Sequence, residues 1–165
     1  MANDLSSTAT TLNSRDTETL DAVIARHGGQ RGSLLPLLHA LQEELGCVPD
    51  AAVPVIADAL NLSRAEVHGV ITFYHDFRRQ PAGRHIVKIC RAEACQARGG
   101  AAIEAAAAER LGVAMGRTRT DGAVTLEPVY CLGLCATGPN AMVDGVPLSR
   151  VDDAKLERIA ARVTQ

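Results

Sequence analysis

Four of the five cysteines in this 165-residue chain fall in its second half as two close pairs, Cys90-x4-Cys95 and Cys131-x3-Cys135. His85 to Cys90 alternates like a strand, Val124 to Val129 reads as another, and between them Ala101 to Leu111 is an alanine-rich helix stopped by Gly112. Each cysteine pair therefore begins where a predicted strand ends. Loops that follow neighbouring strands lie side by side, so four thiolates can face one point. An odd cysteine count in a chain without an export signal argues against a disulfide framework and for metal or thiol chemistry in a reducing compartment.

Two further turns complete the second half. Arg117–Thr120 and Val124–Val129 flank Asp121-Gly122, and Ala141–Val143 and Val146–Leu148 flank Asp144-Gly145, both hairpin signals. Val151 to Val163 closes the chain as a helix. The first half is different: Leu20, Val23 and Ile24, then Leu34, Leu38, Leu41 and Leu45, then Val53, Ile56 and Leu60, then Val67, Val70, Ile71 and Tyr74 recur at helical spacing. Four short helices follow, with Ser33, Asp50 and the Ser63/Glu66 capping box as expected starts, and with Gly28-Gly29 and Gly46 as stops. The predicted fold is α+β: a polar, disordered leader over 1–15, a helical bundle over 16–80, a short Pro/Gly linker, and an α/β domain over 84–165.

Composition narrows the function. A formal charge of −2 and only four aromatics offer no basic, stacking face for nucleic acid. No run approaches the ~20 apolar residues of a membrane span, and the N-terminus lacks the basic start and apolar block of a secretory signal, so a cytoplasmic location is expected. No Gly-x-Gly-x-x-Gly, Walker-type loop or nucleophile constellation is present, which leaves the chain without evident means of binding NAD, flavin or substrate alone.

Four thiolates select zinc or an iron-sulfur cluster. Zinc knuckles commonly place two residues between their cysteines, whereas the loops here hold four and three, a width that suits a two-iron rhomb with one pair of cysteines on each iron. A structural-zinc module remains the alternative from another class. Such an anionic cluster needs N–H donors: Gly99, Gly100 and Gly133 permit close backbone approach, the helix starting at Ala101 offers its positive end, and Arg91 and Arg98 are nearby charges. His68, His75 and His85 are read as outside the ligand set, and Cys47 as a packed thiol. A thiol-disulfide enzyme would want Cys-x-x-Cys, which is absent.

Cys90-Arg-Ala-Glu-Ala-Cys95 with Cys131-Leu-Gly-Leu-Cys135-Ala-Thr-Gly-Pro-Asn140 resembles the thioredoxin-like 2Fe-2S ferredoxin family, as do Leu34 to Pro49 and Glu66 to Tyr74 in the helical half. The resemblance, spanning roughly Ser33 to Val163, implies a thioredoxin-like domain with one 2Fe-2S cluster held by Cys90, Cys95, Cys131 and Cys135. It also implies an electron-transfer role beside a flavoprotein subunit carrying FMN and a 4Fe-4S cluster. Arg91-Ala-Glu-Ala-Cys95 and His68-Gly-Val-Ile-Thr-Phe-Tyr-His-Asp-Phe77 look most like the gamma subunit of NAD-dependent molybdenum or tungsten formate dehydrogenases, whose large subunit would then be a second partner. The corresponding subunits of NADH:quinone oxidoreductase and of NAD-reducing hydrogenases are the alternatives.

Overall fold

The computed structural model describes residues 12–29 and 31–164. The chain divides into two compact units, Met1–Pro81 and Ala82–Gln165. Residues 1–11 of the expected leader lie outside the described residues, and its last residues are helical rather than disordered. Helix α1 (Ser14–His27) starts there because Asn13 and Asp16 form a reciprocal capping box, the Asn13 side chain accepting from the Asp16 N–H at 2.9 Å.

In the first unit α1 packs on α2 (Leu34–Leu45) and α3 (Ala52–Leu60), and both α2 and α3 contact α4 (Arg64–Phe73). The apolar stripes meet in one core, with Leu20, Leu37, Leu38, Leu41, Ile56 and Val67 fully buried. Gly46, in the left-handed region at φ +77°, ends α2. Of the three aromatics near the end of α4, Phe77 is buried against His39, with ring centroids 4.9 Å apart, while Phe73 and Tyr74 are exposed.

Two of the expected caps are not used. Ser33 already has helical backbone angles, φ −69° and ψ −12°, so its hydroxyl does not cap α2. Asp50 does not cap α3, whose N-cap is Ala51, because its carboxylate is held by the Arg79 guanidinium through two parallel charge-assisted hydrogen bonds, against the one bond a cap would make. Ser63 does cap α4, accepting from the Glu66 N–H at 3.1 Å while the Glu66 carboxylate accepts from the Ser63 N–H at 2.8 Å. Ser63→Ala is therefore expected to lower the stability of this unit by about 1 kcal/mol, and Ser33→Ala by less than about 0.5 kcal/mol, in urea unfolding.

The second unit is built on a mixed five-stranded sheet in the order β2-β3-β1-β4-β5. Strands β1 (His85–Cys90), β3 (Val124–Val129), β4 (Ala141–Val143) and β5 (Val146–Leu148) match the predicted ranges, and β2 is the two residues Arg117–Thr118. It ends early because the turn closes at Arg119, whose N–H still donates to the Val124 carbonyl at 2.9 Å and whose carbonyl accepts from the Gly122 N–H at 2.9 Å, while its side chain grips Asp121 at 2.6 and 2.8 Å. β1 and β3 are parallel, joined through α6 (Gly100–Leu111) as a strand–helix–strand unit, and β4 returns antiparallel on the other side of β1. Val87, Leu126 and Val143 lie in register across three strands and point into one core. There they meet Ala107 and Leu111 of α6 and Leu156, Ile159 and Val163 of α7 (Asp153–Val163), a helix capped by Asp152.

The Asp144-Gly145 turn has both residues at positive φ, 51° and 81°, as a two-residue hairpin requires. Asp144 also bolts the sheet: its carboxylate accepts from the Ile86 N–H at 2.9 Å, contacts His85 Nδ1 at 2.9 Å, and accepts from Arg162 at 3.1 Å. Burial pushes this carboxyl up, but the Ile86 and His85 hydrogen bonds and the Arg162 charge outweigh it, so its pKa lies below the usual range. A carboxyl depressed in the folded state adds stability above its unfolded pKa and loses it as pH falls through the folded value. Urea unfolding below about pH 4 is expected to show this loss, and Asp144→Asn to flatten it.

Candidate metal centre

The register of the parallel pair decides where the cysteines meet. Cys90 is the last residue of β1 and lies opposite Val129, the last of β3, so the two following loops leave the same end of the sheet. Cys95 sits within a single helical turn, α5 (Glu93–Gln96), and Cys135 opens a 3-10 turn, Cys135–Thr137. Neither turn is legible as periodicity, since four and three residues are too few to show one. Cys131 takes φ +150°, rare for a residue with a side chain.

The four thiols come together as two pairs. Cys131 Sγ and Cys135 Sγ are 3.8 Å apart, and Cys95 lies near enough to Cys90 to act on its thiol. Burial, the amide of Ala92 and the neighbouring Cys95 act on Cys90, with a net upward push on its thiol. Cys135 is pushed up mainly by Cys131 and further by the charge of Cys90, which links the pairs electrostatically. Cys90 and Cys95 are buried whereas Cys131 and Cys135 are exposed, so the site is closed on one side and open on the other. Two thiol pairs set this close, with Cys90 and Cys135 pushed up in part by their cysteine neighbours, form a donor set suited to a cationic metal, which removes the repulsion by binding them as thiolates. Among the described residues, no three His, Cys, Asp or Glu side chains converge as a single-ion site requires.

The surroundings fit a sulfur-rich group. Gly133, at φ +75°, turns its N–H to Cys131 Sγ at 3.3 Å, and the amides of Ala92 and Leu132 act on Cys90. These backbone donors thus belong to the cysteine loops. Helix α6 contributes differently from expectation: its early amides, Ala102 and Ile103, donate to the Gly99 carbonyl. The two arginines are likewise taken, Arg91 by Glu104 at 3.0 Å, and Arg98 by the Ala136 carbonyl at 3.1 Å, where it braces the Cys135 loop. His85 is held by Asp144. Cys47 is buried, and burial, with Asp16 nearby, raises its pKa and keeps it a neutral thiol.

Close backbone approach is a steric requirement here. A Cβ on Gly138 would lie 3.3 Å from Cys95 Sγ, and one on Gly100 would lie 2.8 Å from the Cys95 carbonyl oxygen. Gly100→Ala would gain about 1 kcal/mol of helix propensity but must displace the backbone that carries Cys95, which costs about 1–3 kcal/mol. The clash is expected to win, lowering both melting temperature and iron content.

Parallel strands that deliver two cysteine pairs to one open end of a thioredoxin-like α+β sheet define a class of small iron-sulfur electron carriers. The chain belongs to the thioredoxin-like [2Fe-2S] ferredoxin family, whose profile matches residues 20–164, and its cofactor is a [2Fe-2S] cluster. It is 37% identical over 133 residues to the E subunit of NADH-quinone oxidoreductase from Escherichia coli (strain K12), covering 81% of this chain and 80% of the relative. The corresponding Pseudomonas aeruginosa protein is 34% identical over the same length, with the same coverage. A chain of the air-oxidized NAD+-reducing [NiFe]-hydrogenase superimposes with a TM-score of 0.65 at 22% identity, over 77% of this chain and 22% of that one, a likeness of fold. Among the described residues no helix is long and apolar enough to cross a membrane.

Proposed function

We propose that this chain is the electron-relay subunit of an NAD-linked oxidoreductase complex, with its [2Fe-2S] cluster held by Cys90, Cys95, Cys131 and Cys135. The cluster supplies one-electron redox chemistry when bound. The observation that carries the reading is the meeting of the two cysteine pairs at one end of the β1/β3 pair, half buried and half open. Cys90 and Cys95 anchor the group against the sheet, the loop amides stabilise its negative charge, and the exposed Cys131 and Cys135 leave one edge for a partner's redox group. That partner is a flavoprotein subunit with FMN and a 4Fe-4S cluster, which carries out the two-electron NAD chemistry.

The parent complex we propose is an NAD-dependent formate dehydrogenase, on the likeness of Arg91 to Cys95 and His68 to Phe77 to its gamma subunit, with a molybdenum or tungsten subunit as the large partner. The second reading, NADH:quinone oxidoreductase, is favoured by the 37% identity to the E subunit of that complex. Purification of the native assembly and assay of formate-dependent NAD reduction separates the two. Formate activity with a co-purifying molybdenum or tungsten subunit supports the first, and a membrane-bound, formate-inert assembly supports the second. Stoichiometric zinc, with no visible absorbance in anaerobically purified protein, would overturn both.

A further inference from the structure

Asn140 is buried, 1% exposed, and stands opposite Cys90, whose N–H donates to the Asn140 carbonyl at 3.0 Å. Its side chain reaches between the two cysteine loops. Asn140 Nδ2 donates to the Leu134 carbonyl at 2.7 Å and lies 3.5 Å from Cys95 Sγ. Leu134 belongs to the Cys131-x3-Cys135 loop and Cys95 to the other, so one amide spans both.

The carbonyl oxygen of Leu134 and a Cys95 thiolate are both acceptors, which fixes the amide with its NH2 end toward them. Asn140 Oδ1 is then left buried with no donor among the described residues. An apolar side chain of similar volume would avoid that cost, so the residue is explained by what its N–H groups do. Cys131 receives a backbone N–H, from Gly133, whereas Cys95 receives its N–H from this side chain.

We propose that Asn140 is a positioning residue that clamps the two cysteine loops together and donates an N–H to the Cys95 sulfur, raising the reduction potential of the cluster. The inference rests on Cys95 being a ligand. Reduction adds one negative charge that the sulfurs share, so a donor at sulfur favours the reduced state.

Full-length Asn140→Leu and Asn140→Asp, each loaded with cluster, test this by redox titration followed by EPR. Loss of the donor is expected to lower the reduced-to-oxidised ratio at fixed potential about tenfold, about 59 mV for a one-electron couple. Asn140→Asp is expected to fall at least as far, because its carboxylate adds a like charge. A purely structural clamp would lower stability and leave the midpoint alone, and an unchanged midpoint in loaded Asn140→Leu overturns the proposal. Wild-type protein labelled with 15N in its asparagine side chains gives a reading that needs no variant. A nitrogen hyperfine coupling at the reduced cluster supports the proposal, and its absence overturns it. If Cys95→Ser keeps an unaltered cluster, the ligand assignment fails instead, and the proposal with it.

Discussion

Cys131→Ser is expected to purify without the red-brown colour of the wild type, its iron falling from about two per chain toward zero, while Cys47→Ser keeps both. A serine hydroxyl ionises far less readily than a thiol, so it replaces a ligand poorly, and Cys131 is held at φ +150° within 3.8 Å of Cys135 with a Gly133 amide on its sulfur. Cys47 is buried in the first unit and kept neutral by burial. Its replacement by serine costs about 1–3 kcal/mol for burying a hydroxyl, seen in a urea melt and not in the visible spectrum. Colour lost in both variants, or in neither, would show that the ligand set is wrong.

Removal of iron is expected to lower the stability of the unit Ala82–Gln165 by about 4 kcal/mol, the chain-entropy value for a cross-link that closes the loop from Cys90 to Cys135. For a unit of this size the melting temperature then falls by more than about 15 °C. The core explains why the unit depends on that link. Its buried cluster is made of Val, Leu, Ile and Ala without an aromatic ring, and α6 offers it mainly methyl groups. Differential scanning calorimetry of holo and apo protein checks this, and coincident melts would contradict it.

Much of this architecture is legible residue by residue. The alternation of His85–Cys90 and Val124–Val129, and the Asp144-Gly145 turn between Ala141–Val143 and Val146–Leu148, are local signals, and local backbone preference is enough to realise them. The Ser63/Glu66 box is local too. Ser33 and Asp50 carry the same kind of signal and do not cap, because the chain before Ser33 is already turned and because Arg79, distant in sequence, takes the Asp50 carboxylate. A local cue holds only while no remote partner offers more.

The site divides along the same line. Residue types and spacing alone determine that two cysteine pairs follow two strands, and hence which four thiols are available. Only the tertiary structure decides that β1 and β3 are parallel neighbours, that β4 returns beside β1, and that Asn140 thereby stands opposite Cys90 with its amide between the two loops. Strand order is set by long-range burial of Val87, Leu126 and Val143 in one core, a collective term that no window of sequence contains.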